Sequence, residues 1–242
     1  MCTVTYISLN GIRYLTSNRD EHISRPASEK PKEEIVNNCR VLYPKDPKAG
    51  GTWFAVNENG VTAVLLNGAV QRHLPGESYR LSRGVVLLNI ISNAAPAFHF
   101  EKIELNSIEP FTIILLEHKQ LLELRWDGLN KYRRELNIDE NYIWSSVTLY
   151  DKEAIKKREK LFKEFISEGS EITERSIIDF HHNDYNDSEN GFIINRNNQL
   201  KTFSITQTVH DAPTIKMNHY DLLKEELHTI MISPNTLIDQ NQ

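Results

Sequence analysis

The sequence predicts an α+β fold built mainly from antiparallel sheet. Strand-like segments come first, helical segments occupy the middle, and strand-like segments return near the end. Asn-Gly pairs at 10–11 and 59–60 each separate two strand-like runs, which is the strongest local signal of a hairpin. The sequence also lacks the glycine-rich phosphate loop and the repeats that would favour other architectures.

The first hairpin spans residues 3–17 around Asn10-Gly11. In a two-residue turn Leu9 faces Ile12, so paired residue numbers sum to 21 and Cys2 lies opposite Arg19. Opposed residues on antiparallel strands have Cβ atoms about 4.5–5.5 Å apart. A slip of one residue would move Cys2 opposite Asn18 or Asp20 instead.

A second hairpin is predicted from residues 52–56 and 61–66 around Asn59-Gly60. Symmetric pairing about this turn puts Asn67 near Thr52. The stretch between the hairpins, residues 27–48, carries many charges and Pro31, Pro44 and Pro47. We therefore expect a loop or crossing segment outside the core, which could form one rim of a pocket.

Helices are predicted next, the first with Ser82 as its N-cap and apolar residues up to Ile91. Further helices are expected over residues 95–105, 151–167 and 173–180. The helix over 151–167 has one apolar and one lysine-rich, solvated face, and Gly169 as its stop. The remaining segments are predicted as strands, with Asn197-Asn198 as a turn: 111–117, 121–126, 131–136, 191–195, 202–208, 214–217 and 228–232. The tail after Ser233 is expected to be flexible.

Composition favours a single domain over residues 1–242 that is cytoplasmic. A net charge of −5 without a basic stretch argues against nucleic acid as a partner. The longest apolar run, residues 111–116, is far shorter than the roughly 20 residues of a membrane span. Two cysteines do not make a disulfide framework, so Cys39 is expected to be a plain thiol.

The predicted hairpin brings Cys2 beside the Asn18-Arg19-Asp20-Glu21 box. If Met1 is removed, Cys2 carries a thiol and an α-amine with a pKa of about 7.7–8.0, which can accept the thiol proton. A neighbouring Arg19 would favour the thiolate. The alternative is that Cys2 is an ordinary half-buried strand residue and the box a solvated strand end.

Several motifs resemble the NRDE family, whose animal members are the transport and Golgi organisation proteins. They are Met1-Cys2, the box with its preceding Ser17, Ser24-Arg25-Pro26 and Ala49-Gly-Gly-Thr-Trp53. The resemblance implies a four-layer αββα sandwich of the N-terminal-nucleophile (Ntn) hydrolase type, related to choloylglycine hydrolases and penicillin V acylases. Those enzymes use an N-terminal cysteine, an arginine and an aspartate on the next strand, and an asparagine in the oxyanion hole.

The box departs from the choloylglycine hydrolases in one respect. Their arginine precedes the aspartate by three residues, whereas Arg19 and Asp20 are adjacent. Neighbours on a strand point to opposite faces. Arg19 is therefore expected to face Cys2, and the position of Asp20 stays open.

Three other residues are candidates by the same resemblance. Asn67 resembles the oxyanion-hole asparagine, or is simply a turn residue of Asn67-Gly68. Ser146 stands where many relatives carry an asparagine that lines the active site, or is a loop serine. Ser204 lies on a strand that the resemblance places near the pocket, or on an ordinary sheet face.

Residues 181–184, His-His-Asn-Asp, are predicted to form a solvated loop and not a metal site. The functional hypothesis is an amidohydrolase that cleaves a non-peptide C–N amide bond without a metal or organic cofactor. Its predicted catalytic residues are Cys2, Arg19, Asp20 and Asn67, and its predicted substrate-binding residues are Asn18, Glu21, Ser146 and Ser204. The alternatives are a carrier of haem or a lipid-like ligand on the same scaffold, and a structural protein with a vestigial pocket. The sequence leaves the oligomeric state open.

Overall fold

Two antiparallel sheets form the centre of the protein, whose computed structural model describes residues 3–74, 76, 78–167 and 171–234. The first sheet has the strand order β10-β1-β2-β12-β13-β14, with the short β11 paired to β12. Its strands are β1 (Thr3–Leu9), β2 (Ile12–His22), β10 (Tyr142–Ser145), β11 (Asn195–Arg196), β12 (Leu200–Asp211), β13 (Thr214–Asp221) and β14 (Glu226–Ile232).

The second sheet follows chain order from β3 to β9. Its strands are β3 (Glu29–Val36), β4 (Cys39–Lys45), β5 (Phe54–Asn57), β6 (Thr62–Asn67), β7 (Phe111–Glu117), β8 (Gln120–Trp126) and β9 (Lys131–Leu136). Consecutive strands are joined by short turns except between β4 and β5, where residues 46–53 intervene, and between β6 and β7, where two helices intervene.

Four helices cover the outer faces of the two sheets within the described residues. Helices α1 (Arg83–Ile91) and α2 (Pro96–Lys102) contact β5, β6 and β8, whereas α3 (Lys152–Ser167) and α4 (Glu174–His181) contact β2, β10 and β12. Apolar side chains of both sheets, such as Val4 and Val64, share one buried core. The predicted four-layer αββα sandwich of antiparallel sheets is therefore confirmed.

The first hairpin has the predicted register. Leu9 pairs with Ile12 and Thr3 with Asn18, so paired residue numbers sum to 21 throughout. Asn10 and Gly11 both have positive φ angles, 52° and 82°, as a type I′ turn requires. Cys2 lies outside the described residues, as do Gly169 and residues 235–242 of the tail.

The prediction that residues 27–48 form a loop outside the core is wrong. They form the β3–β4 hairpin, in which Val41 and Leu42 are fully or almost fully buried. The turn residues Asn37 and Asn38 both have positive φ, a signal that the charges and prolines obscured. Pro31 is tolerated because β3 is an edge strand and its ladder is irregular between Glu29 and Lys32.

The second hairpin exists, but its register is one residue away from the symmetric prediction. Val56 pairs with Thr62, which makes the turn longer than Asn59-Gly60 alone. The side chain of Asn57 explains the difference, because its Oδ1 accepts hydrogen bonds from the backbone N–H groups of Asn59 and Val61, both at 3.0 Å. A side chain thus organises a wider turn.

The predicted Ser82 cap is present, a second cap occurs at Thr173, and the strand prediction for residues 191–195 is largely wrong. The Ser82 side chain accepts from the Val85 N–H, and Thr173 forms a capping box with Ser176. Of residues 191–195 only Asn195 is in a strand. The described helices include none that is long and apolar enough to cross a bilayer.

Gly51 and Gly84 allow the segment before β5 to cross the first turn of α1 at close range. A Cβ atom at Gly51 would lie 2.3 Å from the carbonyl carbon of Gly84. A Cβ atom at Gly84 would lie 2.7 Å from the carbonyl oxygen of Thr52. These distances are too short for any side chain, so both positions require glycine.

We expect Gly51→Ala to lower the free energy of unfolding by about 3 kcal/mol, because two backbone segments would have to separate. Gly76→Ala is the matched control, since a Cβ atom there meets nothing closer than 3.4 Å and should change stability by less than about 0.5 kcal/mol. Urea denaturation followed by circular dichroism measures both. Equal losses in the two variants would contradict the close crossing.

Candidate functional site

A cavity of about 560 Å³ opens where β2 ends, between the two sheets and the start of α1. Its wall is strongly polar and carries charges of both signs. The side chains on it include Arg19, Glu21, Asp46, Trp53, Asn67 and Arg83.

Arg19 reaches this cavity from β2 although it is only 1% exposed. Its guanidinium lies over the ring of Trp53, 4.7 Å from the centroid, and 5.5 Å from that of Phe203. Nη2 forms an ion pair with Oδ2 of Asp46 at 3.2 Å. Nη1 is buried and has no hydrogen-bond partner among the described residues. The cation is thus held rigidly on the cavity wall with one donor left over.

Asp46 connects Arg19 to the rest of the charged wall. Its Oδ2 also accepts from Arg25 at 2.5 Å, and its Oδ1 accepts from the backbone N–H groups of Lys48 and Ala49 at 2.9 and 3.1 Å. Burial alone would raise the pKa of this carboxyl, but the Ala49 N–H and the charges of Arg25 and Arg19 hold that pKa below its ordinary value. Asp46 belongs to the stretch predicted as a possible rim of a pocket, but no signal in the sequence singled out this residue.

Glu21, a predicted substrate-binding residue, lines the same cavity. Its Oε2 lies 3.3 Å from Nε of Arg25, so the acid is already paired with a cation. Across the cavity, Arg83 at the start of α1 pairs with Glu109 at 3.0 Å. The wall is therefore made of matched ion pairs beside a capped helix N-terminus.

Asp20 faces the opposite side of β2, as the alternation of side chains requires. It is 3% exposed and accepts hydrogen bonds from Tyr150 Oη at 2.9 Å and Thr202 Oγ1 at 2.6 Å. The structure therefore separates Arg19 and Asp20 onto two faces at one end of one strand. Both residues are buried, which excludes the alternative that they belong to a solvated strand end.

Asn18 is used inside the protein and does not line the cavity. Its Nδ2 donates to the carbonyls of His181 and Phe192 at 3.0 and 2.9 Å, and its Oδ1 accepts from Nδ1 of His181. Nε2 of the same imidazole then accepts from Thr5 Oγ1 at 2.7 Å. Asn18 thereby joins β2 to α4.

These contacts also correct the prediction that residues 181–184 form a solvated loop. His181 is the last residue of α4 and is fully buried, and burial together with the charge of Arg158 lowers its pKa to about 3. Only His182 and the residues after it are exposed. Within the described residues no cluster of three His, Cys, Asp or Glu side chains is arranged to hold a metal ion.

Asn67 and Ser146 lie together beside the cavity. Asn67 lines it from the end of β6, and its carbonyl accepts a hydrogen bond from Ser146 Oγ at 2.8 Å. Ser146 is 2% exposed and lines a smaller adjoining cavity of about 170 Å³, which Asn67 also borders. Ser146 therefore fixes the backbone of Asn67 through this hydrogen bond.

Ser204 pairs with Arg19 across the β2–β12 ladder but does not line the cavity. It is 1% exposed, and its Oγ has no partner among the described residues. The ladder is irregular between Thr202 and Ser204, so Phe203 is inserted and reaches the guanidinium of Arg19. The bulge explains why an aromatic ring, and not the serine, contacts the cation.

The strand that follows Cys2 is anchored on both sides. Thr3 pairs with Asn18 of β2 and with Ser145 of β10. Its Oγ1 accepts a hydrogen bond from Nη1 of Arg158 on α3. The amino end of β1 is therefore fixed next to the strand that carries Arg19 and Asp20.

Two solved structures have a similar fold. The Caenorhabditis elegans ortholog of N-acylethanolamine-hydrolyzing acid amidase aligns with a TM-score of 0.59 and 12% identity over 85% of this chain and 92% of its own. The C2A mutant of conjugated bile acid hydrolase from Clostridium perfringens aligns with a TM-score of 0.50 and 11% identity, covering 95% and 96%. At these identities the likeness establishes the Ntn-hydrolase fold.

No functionally curated protein matches the chain in sequence. A family model does match, that of Transport and Golgi organisation 2, and it covers residues 1–236. This is the family that the Asn-Arg-Asp-Glu box and its neighbouring motifs resemble. The chain therefore belongs to the Transport and Golgi organisation 2 family.

Proposed function

We propose that this protein is an N-terminal-cysteine amidohydrolase that cleaves a non-peptide C–N amide bond. The observation that carries the proposal is the β1–β2 register, which brings the amino end of β1 beside the buried Arg19 on the wall of a 560 Å³ cavity. The Ntn-hydrolase fold supports it, since two solved proteins of that fold are named for hydrolysing acylethanolamines and conjugated bile acids.

The alternation of side chains along β1 supports Cys2 as the nucleophile. Val4 and Tyr6 point into the core between the sheets, whereas Thr5 points to α4. A side chain two residues before Val4 on the same strand would share its side, which is also the side of Arg19.

The proposed reaction needs the α-amine that removal of Met1 would expose. The amine takes the proton of the Cys2 thiol, and the thiolate attacks the amide carbonyl to form a C–S bond. The oxyanion that results accepts hydrogen bonds from Asn67 Nδ2 and a backbone N–H. The C–N bond then breaks, the departing amine takes the proton, and water hydrolyses the thioester to release the acid and restore the thiol.

Arg19 and Asp20 of the box have separate proposed roles. Arg19 favours the thiolate from the cavity side, and Asp20 offers a negative charge to the ammonium from the other face. Glu21 borders the space that the substrate would occupy. Ser146 acts indirectly, by fixing Asn67 through its carbonyl.

We expect Cys2→Ala to abolish hydrolysis, a loss of at least about 10³-fold, because it removes the only group proposed to bond the carbonyl. Cys39→Ala is the matched control and should leave activity within twofold. Burial raises the pKa of the Cys39 thiol, so it is a poor nucleophile at neutral pH. A panel of acylated amino acids, bile-salt-like conjugates and β-lactams provides the substrates.

Intact mass and thiol labelling complete the test. A mature chain that retains Met1, or equal turnover by the Cys2→Ala protein, would refute the proposal. Cys2 should react with iodoacetamide at pH 6.5 faster than an unstructured N-terminal cysteine peptide. An unreactive Cys2 in a protein that binds members of the panel without turnover would favour a carrier instead.

A further inference from the structure

Arg158 is a buried cation that the proposed reaction does not use. It lies on α3 with 0% exposure. Its Nε donates to the carbonyl of Asn190 at 3.0 Å, and its Nη2 donates to the carbonyl of Gly191. Its Nη1 donates to the hydroxyl of Thr3. All three acceptors are neutral oxygens.

A guanidinium buried against neutral oxygens is an expensive way to hold a helix in place. Taking an ion out of water costs several kcal/mol, and apolar replacements of buried charges are often neutral or stabilising. The neighbours of Arg158 on the same face of α3, Ile155 and Phe162, are apolar. Stability alone would therefore favour an apolar residue at this position, and the charge requires another explanation.

The guanidinium also stacks on the ring of Tyr150, 3.5 Å from its centroid. The hydroxyl of that ring donates to Oδ2 of Asp20 at 2.9 Å. Cation, aromatic ring and carboxylate thus follow one another in the interior, and both Tyr150 and Asp20 are less than 5% exposed. A rigid arrangement of this kind fixes the direction in which the Asp20 carboxylate points.

We propose that Arg158 is a positioning residue, which fixes the amino end of β1 through Thr3 and the carboxylate of Asp20 through Tyr150. The two contacts hold the N-terminal residue and its proposed acidic partner in one relative position. This inference rests on the proposed role of Cys2 as the nucleophile. Arg158 itself touches neither the sulfur nor the substrate in this scheme.

The test measures the rate at which iodoacetamide labels Cys2 at pH 6.5, by peptide mass spectrometry, with Cys39 of the same sample as an internal reference. Thr3→Val removes the acceptor of Arg158 while keeping the shape of the side chain. Thr5→Val is the matched control. Thr5 is also a buried threonine and lies on the same face of β1, two residues after Thr3, but its hydroxyl forms a hydrogen bond with His181 and not with Arg158. Arg158→Met and Thr3→Ser complete the set.

We expect Thr3→Val and Arg158→Met to slow the labelling of Cys2 at least about fivefold, with Thr3→Ser and Thr5→Val close to wild type. Labelling of Cys39 should be unchanged in every folded variant. Unaltered Cys2 rates in Thr3→Val would overturn the positioning role, as would an equal slowing in Thr5→Val. If wild-type Cys2 is no more reactive than the cysteine peptide, the proposed function fails as well; if it is reactive and insensitive to these variants, only the role of Arg158 fails.

Discussion

Lowering the pH from 7.5 to 5 is expected to reduce the free energy of unfolding by at least about 4 kcal/mol. Burial, the main cause in each case, lowers the pKa of His181 to about 3 and that of His219 to about 4, and it also lowers the pKa of the partly buried His210. In the unfolded chain a histidine has a pKa of about 6.5. Between these values the unfolded state binds more protons than the folded state, so stability falls with pH. His181 and His219 each contribute about 2 kcal/mol at pH 5, since one pKa unit corresponds to about 1.4 kcal/mol.

The contacts of His181 explain why the folded state resists the proton. Nδ1 donates to Oδ1 of Asn18, so Nε2 must accept the hydrogen bond of Thr5 Oγ1. A second proton would break this bond and place a cation next to the field of Arg158. The loss of stability should begin near pH 6.5 and continue towards pH 3. Above pH 7.5 these histidines should not contribute to the pH dependence of the free energy of unfolding.

Urea denaturation at several pH values measures this effect. His181→Gln should remove about 2 kcal/mol of the pH dependence, even though it also lowers stability at pH 7.5 through the lost contacts. His182→Gln is the matched control, because the neighbouring imidazole is exposed, and its slope should equal that of wild type. Equal stability of the wild-type protein at pH 5 and 7.5 would show that these histidines become protonated without unfolding.

Features set by a few adjacent residues could be predicted from the sequence. Asn10-Gly11 specifies both the turn and the register of the first hairpin, because only residues that tolerate positive φ fit there. Ser82 similarly marks the start of α1 through its own side chain. Since the position of Thr3 beside the box follows from that register, the sequence contains the main geometric fact of the candidate site.

Features that depend on distant contacts could not be predicted in this way. Pro31 and many charges obscure β3, yet an edge strand tolerates both because one side of it pairs with none of the described strands. Asn57 shifts the second hairpin because its amide also donates to the carbonyl of Ile91 on α1, 34 residues away. The competing side-chain interaction overrides the preference of the Asn59-Gly60 turn.

The same limit applies to the candidate site. Arg19 and Asp20 are recognisable from the box, but the ion pair with Asp46 depends on a hairpin that sequence analysis missed. Arg158 did leave a signal, since it interrupts the apolar face of α3 between Ile155 and Phe162. A charge on a predicted buried face indicates a specific partner, which here is the first described residue of β1 and the ring beside Asp20.

We expect Arg19→Met to lower the free energy of unfolding by about 3 kcal/mol and to slow the labelling of Cys2 at pH 6.5 by about tenfold or more. Removing one partner of a buried ion pair leaves the other charge uncompensated, at a cost of about 3–5 kcal/mol. The cost should be at the lower end, because Asp46 keeps Arg25 and two backbone N–H groups. The slower labelling follows from loss of the cation proposed to favour the thiolate.

The exposed pair of Arg175 and Asp179 provides the control for this substitution. Its nitrogen and oxygen are 2.9 Å apart, closer than those of the Arg19 pair, but Arg175 is 74% exposed. Solvent screens such a pair, so Arg175→Met should leave both the free energy of unfolding and the labelling of Cys2 close to their wild-type values. If Arg19→Met destabilises the protein but Cys2 reacts at the wild-type rate, the arginine is a structural residue of the sheet interface, and the thiolate would need another source of stabilisation.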